Sequence, residues 1–381
     1  MLEKIRALGP EIQAQAASDE MATEISGEIV QSLRAEGALA LMVPRELGGA
    51  EAPPDVLIDI IRELSYHDGS TGWFAGAVMT AGAVSGACLG DKAIAALYPK
   101  EGALISAGQA APTGRAERVG DGYRITGRFS FGSGCPAAAY LVGGYVVFEN
   151  GAPVQGAHGQ PVMMIGFAPR ETVTFHGNWD VLGLRGTGSY DFEVAEQVLH
   201  EDFFIDAAAP QVRRGGALYR MGFMALPALT HASFALGCGR RLLDEWGAFA
   251  RTKQRGPGQY ANQLQTFQRD FAVAHAELRA AEAYVRRTFA ALFAAASMGA
   301  AISEDMKLDG RLSASHALST AARIAHTAFA AATTTALRNG HALQRCFRDL
   351  QAGNAHFLTS EQSFIDVGKV LGGVEGASVI F

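Results

Sequence analysis

Apolar residues recur at helical spacing through the first hundred positions. Met21, Ile25, Ile29 and Leu33 step by four. Gly48-Gly49 and Pro53-Pro54 interrupt the pattern. Val56, Ile60, Ile61 and Leu64 resume it, with Asp55 placed to cap that helix. Ser70 opens a Gly/Ala-rich apolar stretch that predicts a tightly packed internal helix. Between about 106 and 207 the period shortens. Segments 123–126, 129–131, 141–148, 162–167, 173–175 and, in part, 190–198 read as strands with turn residues between them. Helical spacing then returns: Leu264, Phe267, Phe271, Ala274, Leu278 and Ala281 form one amphipathic stripe. Gly256-Pro257-Gly258 separates it from the helix before, and Asp305 and Asp309 read as part of a polar loop. A further long helix is expected over roughly 311–338, closed by Asn339-Gly340. The predicted order is an N-terminal helical domain over 1–105, a small antiparallel β-domain over 106–207 and a C-terminal helix bundle over 208–381.

Composition narrows the class. With 381 residues, 49% hydrophobic and 18% charged, the chain has ample material for a large core. A net charge of -6 with scattered basic residues argues against a nucleic-acid partner. Cys88, Cys135, Cys238 and Cys346 are far apart and form no C-x-x-C, so no zinc site or disulfide framework is expected, and a reducing cytoplasm fits. His316 and His326 lack an E-x-x-H partner, so no metal is expected. The N-terminal MLEKIRALGPEIQ has no apolar signal-peptide region, and no uninterrupted apolar run reaches membrane-spanning length. There is no G-x-G-x-x-G after a strand, so direct NAD(P)H binding is not expected. Nor is there a G-x-S-x-G for a hydrolase, and His67-Asp68 beside Ser65 and Ser70 do not make a triad.

Four local motifs sharpen the reading. Residues 43–49, VPRELGG, resemble the P-x-x-x-G-G turn between early helices of acyl-CoA dehydrogenases. Residues 123–134, YRITGRFSFGSG, resemble that family's strand, Gly turn and strand, whose end lies against the flavin ring. Residues 183–189, GLRGTGS, resemble the loop before its last β-domain strand, and 344–349, QRCFRD, its Arg-x-x-Arg-Asp segment. They occur in the family's order and near its spacing. The resemblance implies a mostly α fold with a small β-domain: the acyl-CoA dehydrogenase-like fold.

A dehydrogenase of this family needs a carboxylate base. In its commonest branch this is the Glu of an E-G pair nine residues after the Arg of the Arg-Asp pair. Here that count from Arg348 reaches Phe357, with His356 beside it and Glu361 the nearest carboxylate. A second branch carries its base on an earlier helix, which leaves Asp244 and Glu245 open. The stretch RDLQAGNAHF instead resembles the R-D-x-x-x-x-x-x-H pattern of two-component, reduced-flavin monooxygenases of this fold. Ser133-Gly134 resembles their S-G, and 187–189 resemble them too.

The monooxygenase resemblance implies an oxygenase component that hydroxylates a small aromatic molecule with reduced FMN or FAD and O2 through a C4a-hydroperoxyflavin. A separate NAD(P)H:flavin reductase would supply the flavin, and a homotetramer is implied. Ser133 would hold the flavin N5 proton, Phe131 would cover a ring face, and Gly134 would let backbone approach the ring. His356 would act on the substrate. Arg251 and Arg255 fall where the flavin phosphate is expected, with Gln263 or Gln268 reaching a neighbouring subunit's flavin. Trp73 and Gln109 complete the expected pocket. Arg345, Arg348 and Asp349 read as an ion-pair cluster. Three alternatives stay open: an acyl-CoA dehydrogenase, an N-oxygenase of the same fold, and a non-catalytic ligand-binding protein.

Overall fold

The computed structural model describes all residues except 101, 157 and 158. Five helices come first: α1 (Leu2–Ala22), α2 (Gly27–Ala35), α3 (Pro54–His67), α4 (Gly69–Cys88) and α5 (Asp91–Leu97). Five follow the strands: α6 (Ala225–Thr252), α7 (Gln265–Ser297), α8 (Glu304–Ala332), α9 (Ala342–Asn354) and α10 (Glu361–Leu371). Between them run β1 (Ser106–Gly108), β2 (Gly114–Val119), β3 (Gly122–Gly132), β4 (Tyr140–Glu149), β5 (Ala152–Pro153), β6 (Met163–Pro169), β7 (Val173–Phe175), β8 (Tyr190–His200) and β9 (Phe204–Asp206). A short ribbon, β10 (Gln254–Gly256) and β11 (Gln259–Tyr260), follows α6.

Several boundaries differ from the sequence expectation for local reasons. The stripe from Met21 to Leu33 is split: Met21 lies in the last turn of α1, Ile25 in the link, and Ile29 and Leu33 belong to α2. Thr23 takes a left-handed φ of 63° that ends α1, and the Ser26 side chain caps α2. Met21 is accordingly 82% exposed. Asp55 lies in the first turn of α3, behind the N-cap Pro53. Asp305 and Asp309 lie inside α8: Ser303 accepts from Met306 N–H, and Glu304 and Asp305 favour the positive helix end.

The main sheet runs β7-β8-β3-β2-β4-β6-β9, with β1 and β5 also on β4. It is antiparallel except at β4, which pairs parallel with β1 and β2. Phe129 and Phe192 are cross-strand partners on β3 and β8, their rings stacked 5.1 Å apart in the core. Beyond Phe129 the register slips, because Phe131 takes a left-handed φ of 63°; pairing resumes with Gly132 opposite Tyr190. The next residue outward on each strand is therefore Ser133 and Ser189.

Helices α3, α4 and α9 pack on α6, and α4 also meets the sheet at β1. Gly237 of α6 sets the closest approach to α3: a Cβ there would lie 2.3 Å from the Arg62 carbonyl oxygen and 2.7 Å from Ser65 Cβ. Gly237→Ala has backbone against it, and we expect a loss of about 1–3 kcal/mol. Urea unfolding measures this; an unchanged midpoint would mean that the two helices part freely.

Candidate functional site

Trp73 lies one turn into α4, whose start is fixed by Asp68. The Asp68 Oδ2 atom accepts from Thr71 N–H at 2.8 Å and from Thr71 Oγ1–H at 2.9 Å. The helix aims the indole at the end of β3, where Nε1–H donates to Ser133 Oγ at 3.2 Å. Ser133 and Ser189 hydroxyls lie 2.8 Å apart, and Ser189 and Thr187 hydroxyls 2.6 Å. Thr187 Oγ1 donates to the Leu184 carbonyl at 2.8 Å.

That last bond fixes every proton in the chain. A hydroxyl has one proton and two lone pairs. Thr187 spends its proton on a carbonyl, so it accepts from Ser189. Ser189 then accepts from Ser133. Ser133 accepts from Trp73 and donates to Ser189, and keeps one lone pair and no spare proton.

The relay is anchored from α9. Asp349 Oδ1 accepts from Leu184 N–H at 2.6 Å, and Leu184 holds a left-handed φ of 55° that a branched side chain rarely takes. Asp349 is 3% exposed. The expected ion-pair cluster is not formed: Arg345 and Arg348 pair with Glu20 of α1 at 3.2 and 2.5 Å. Burial, then repulsion from Asp68, pushes the Asp349 carboxyl up to about 7.

Across from Ser133, Trp73 stacks on His231 of α6, with ring centroids 4.5 Å apart, and meets Phe234 edge-on at 5.1 Å. His231 is 4.3 Å from His356, and His356 is 5.7 Å from Trp73. His356 occupies the turn after α9. Its Nδ1 accepts from Leu358 N–H at 3.3 Å, so the neutral ring carries its proton on Nε2. Burial, then the Arg311 charge, lowers His356 to about 4; burial, His356 and Arg311 hold His231 well below its usual value. Both rings are neutral at pH 7. None of Trp73, Ser133, His231 and His356 has a carboxylate partner among the described residues.

The structure thus brings together Trp73, Ser133 and His356, and adds His231, Ser189 and Thr187. Phe131 is 68% exposed and meets Trp179 edge-on at 5.9 Å. Gly134, at φ 82°, donates N–H to the Thr187 carbonyl. Gln109 turns back on its own loop, its Oε1 accepting from Ala111 N–H at 2.6 Å, and none of its bonds reaches the cluster. Gln263 closes its own turn, accepting from Tyr260 N–H at 2.8 Å. Arg251 is exposed, with no hydrogen bond or ion pair among the described residues. Arg255 donates to the Ala331 carbonyl. Of the rival bases, Asp244 is exposed and accepts from Tyr66 O–H at 2.9 Å, and Glu361 is exposed in the first turn of α10.

Asp349 yields a stability test. Its folded pKa near 7 lies above the unfolded carboxyl value, so the folded state holds the proton more tightly. Its contribution falls as pH rises from about 4 to about 7 and stays low above. Asp349→Asn keeps an acceptor for Leu184 without the charge. We expect it to gain stability relative to wild type between pH 5 and 8, while Asp349→Ala, which orphans a buried N–H, loses about 1–3 kcal/mol throughout. Thermal unfolding against pH checks both; parallel wild-type and Asn curves would refute the assignment.

Comparison with known proteins places this geometry. Residues 229–361, which span His231, Arg311 and His356, match the family described as acyl-CoA dehydrogenase, C-terminal domain. The chain is 29% identical to the indole-3-acetate monooxygenase of Pseudomonas putida, over 92% of this chain and 87% of that protein. It is 25% identical to the oxygenase subunit HsaA, a flavin-dependent monooxygenase of Rhodococcus jostii, over 96% and 97% of the two chains. The fold matches XiaF from a Streptomyces species, solved with FADH2 and glycerol, at a TM-score of 0.89 and 21% identity, covering 100% and 96%. The chain has the acyl-CoA dehydrogenase-like fold, carries that family's C-terminal domain over residues 229–361, and is an oxidoreductase similar along its length to flavin-dependent monooxygenases of this fold.

Proposed function

We propose that this chain is an oxygenase component that takes reduced FMN or FAD from a separate NAD(P)H-dependent flavin reductase and, with O2, hydroxylates a small aromatic substrate. The observation that carries this reading is the direction of the hydroxyl relay. Toward a ligand, Ser133 is an acceptor only. A reduced flavin carries a proton on N5 and an oxidised flavin does not, so the reduced form alone offers Ser133 a donor at that atom.

The other residues fit a flavin. Phe131 is an exposed aromatic held out by its backbone, which a ring face would cover. Arg251 is free for a phosphate, and Arg255 lies beside a groove of about 550 Å³ lined by Thr334, Thr335, Arg338, Asn339, Gly340 and His341. Lys253 Nζ ties the same wall by donating to Thr335 Oγ1 at 3.2 Å. We place the phosphate end of the flavin there, where Arg338 adds a cation the sequence pattern did not single out.

Reduced flavin, when bound, supplies the electrons that activate O2. The chain's own residues do the rest. Ser133 retains the N5 proton, because its other hydrogen bonds are already committed. Trp73, His231 and Phe234 form a largely apolar wall that limits water. His356 presents Nε2–H and so positions a substrate oxygen as a donor; in this tautomer it is not a base. The aromatic nature of the substrate is supported by the rings of the cluster and by the relative named for indole-3-acetate.

We place the protein in the cytoplasm, consistent with four free, buried cysteines. A homotetramer would cover the exposed apolar side chains of Phe357, Ile365, Leu371 and Val374. Among the described residues, no helix is long and apolar enough to cross a membrane.

Anaerobically reduced protein mixed with ¹⁸O2 and an aromatic substrate should place ¹⁸O in the product. Ser133→Ala should divert reduced flavin to peroxide. His356→Ala should lower product formation by roughly 10²–10³-fold, the usual loss for one positioned donor. Unlabelled product, or turnover of an acyl-CoA that Glu361→Gln abolishes, would replace this reading with a dehydrogenase.

A further inference from the structure

Arg311 is 5% exposed, on the second turn of α8. A buried guanidinium needs a counter-charge. Arg311 has none within ion-pair distance among the described residues. Its Nε donates to Ser363 Oγ at 3.2 Å and its Nη2 to the Phe357 carbonyl at 3.1 Å. Its Nη1 is buried with no partner. The one carboxylate that acts on its charge, Asp366, is half-buried and bound to Lys369. Arg311 therefore clamps the turn that carries His356 and leaves both N–H bonds of Nη1 unspent.

The surroundings add donors and no acceptor charge. The Arg311 charge is felt at both His231 and His356. His356 offers Nε2–H, and His231 Nδ1 is also buried without a partner. His231 and His356 thus flank the Trp73 ring, Arg311 holds the turn that carries His356, and none of the three has an acidic neighbour in hydrogen-bond reach among the described residues. Buried polar atoms left unpaired in this way mark a place where something binds.

We propose that the missing partner is the substrate's own carboxylate: the site takes an aromatic acid whose anionic group neutralises Arg311 while its ring lies against Trp73 and His231. The inference rests on the flavin-monooxygenase reading and names the substrate class for that same site. A carboxylate suits the site better than a phenol, because it arrives ionised at pH 7 and accepts from two donors at once, Nη1 and an imidazole N–H. It also gives the apolar cluster a polar anchor at one end, which fixes the ring's orientation.

The test compares acids with their uncharged amides. Anaerobic calorimetry first measures reduced FAD and FMN on the wild-type protein; absence of binding there would sink the flavin reading itself, before any substrate is added. Phenylacetate, 4-hydroxyphenylacetate and indole-3-acetate are then titrated into the reduced-flavin complex beside the corresponding amides. At least one acid should bind ten-fold or more tightly than its amide. In Arg311→Gln that preference should vanish through loss of the acid alone, and Arg311→Lys should keep part of it. Ser363→Ala breaks one clamp bond and leaves the charge, so the preference should survive. Should the Arg311 variants fail to fold, the wild-type and Ser363→Ala comparisons still decide. No acid outbinding its amide in the wild type, including no acid binding at all, overturns the proposal. Equal losses for acid and amide in Arg311→Gln would make Arg311 a clamp only, which also overturns it.

Discussion

The hydrogen bond from Leu184 N–H to Asp349 holds the rest of the site in place. It keeps a leucine in left-handed backbone, and that backbone turns the Leu184 carbonyl toward Thr187. Everything downstream follows from single-proton bookkeeping: Thr187, Ser189, Ser133 and Trp73 can be satisfied in one direction only. The two strands that carry the serines are brought opposite by the β3–β8 register, and the slip that realigns them also pushes Phe131 into the open. The same backbone irregularity therefore makes both an aromatic platform and a directed hydroxyl. Asp349 pays for this with a buried carboxyl pushed up to about 7, offset only in part by Leu184 N–H and the Arg348 charge, because Arg345 and Arg348 pair with Glu20.

The chemistry of the pocket is set by what surrounds that hydroxyl. Proton abstraction from a thioester needs a carboxylate, and the candidates face elsewhere: Asp244 is engaged by Tyr66, and Glu361 is exposed. What converges instead is indole and two neutral imidazoles, with a buried guanidinium holding the turn behind His356. Such a set positions oxygen atoms and excludes water. It is suited to a reaction whose oxidising power comes from flavin and O2, with the protein supplying orientation.

Much of this was legible in the sequence where a residue type carries a local rule. Ser133 and His356 stood out only through resemblance to the S-G and R-D-x-x-x-x-x-x-H patterns of reduced-flavin monooxygenases, and the structure does bring them to one place beside Trp73. His231 did not stand out: in ALPALTHASF it reads as a histidine within an apolar helix, and only the α6–α9 packing puts it against His356. Arg311 was read as the start of a helix, because the Ser303 cap eight residues earlier was missed and the polar stretch before it looked like a loop. Asp349 was assigned to its sequence neighbours Arg345 and Arg348, whereas its partner is 165 residues away. Strands β1, β2 and β9 were missed for a related reason: β1 and β9 are three residues long, β2 reads GRAERV, and their identity comes from pairing. Long-range partners decide these cases, and no local spacing encodes them.

The central claim is that a directed relay makes Ser133 an acceptor and so selects the reduced cofactor. The dissociation constants of one flavin in its oxidised and reduced states, measured anaerobically on wild type and Thr187→Val, test it most directly. Valine removes the acceptor at the end of the chain and frees Ser189 and Ser133 to turn. The account expects wild type to bind reduced flavin at least ten-fold more tightly, and the ratio to fall toward one in Thr187→Val with the fold retained. Oxidised flavin binding wild type as tightly as reduced flavin, or a ratio untouched by the substitution, would contradict it.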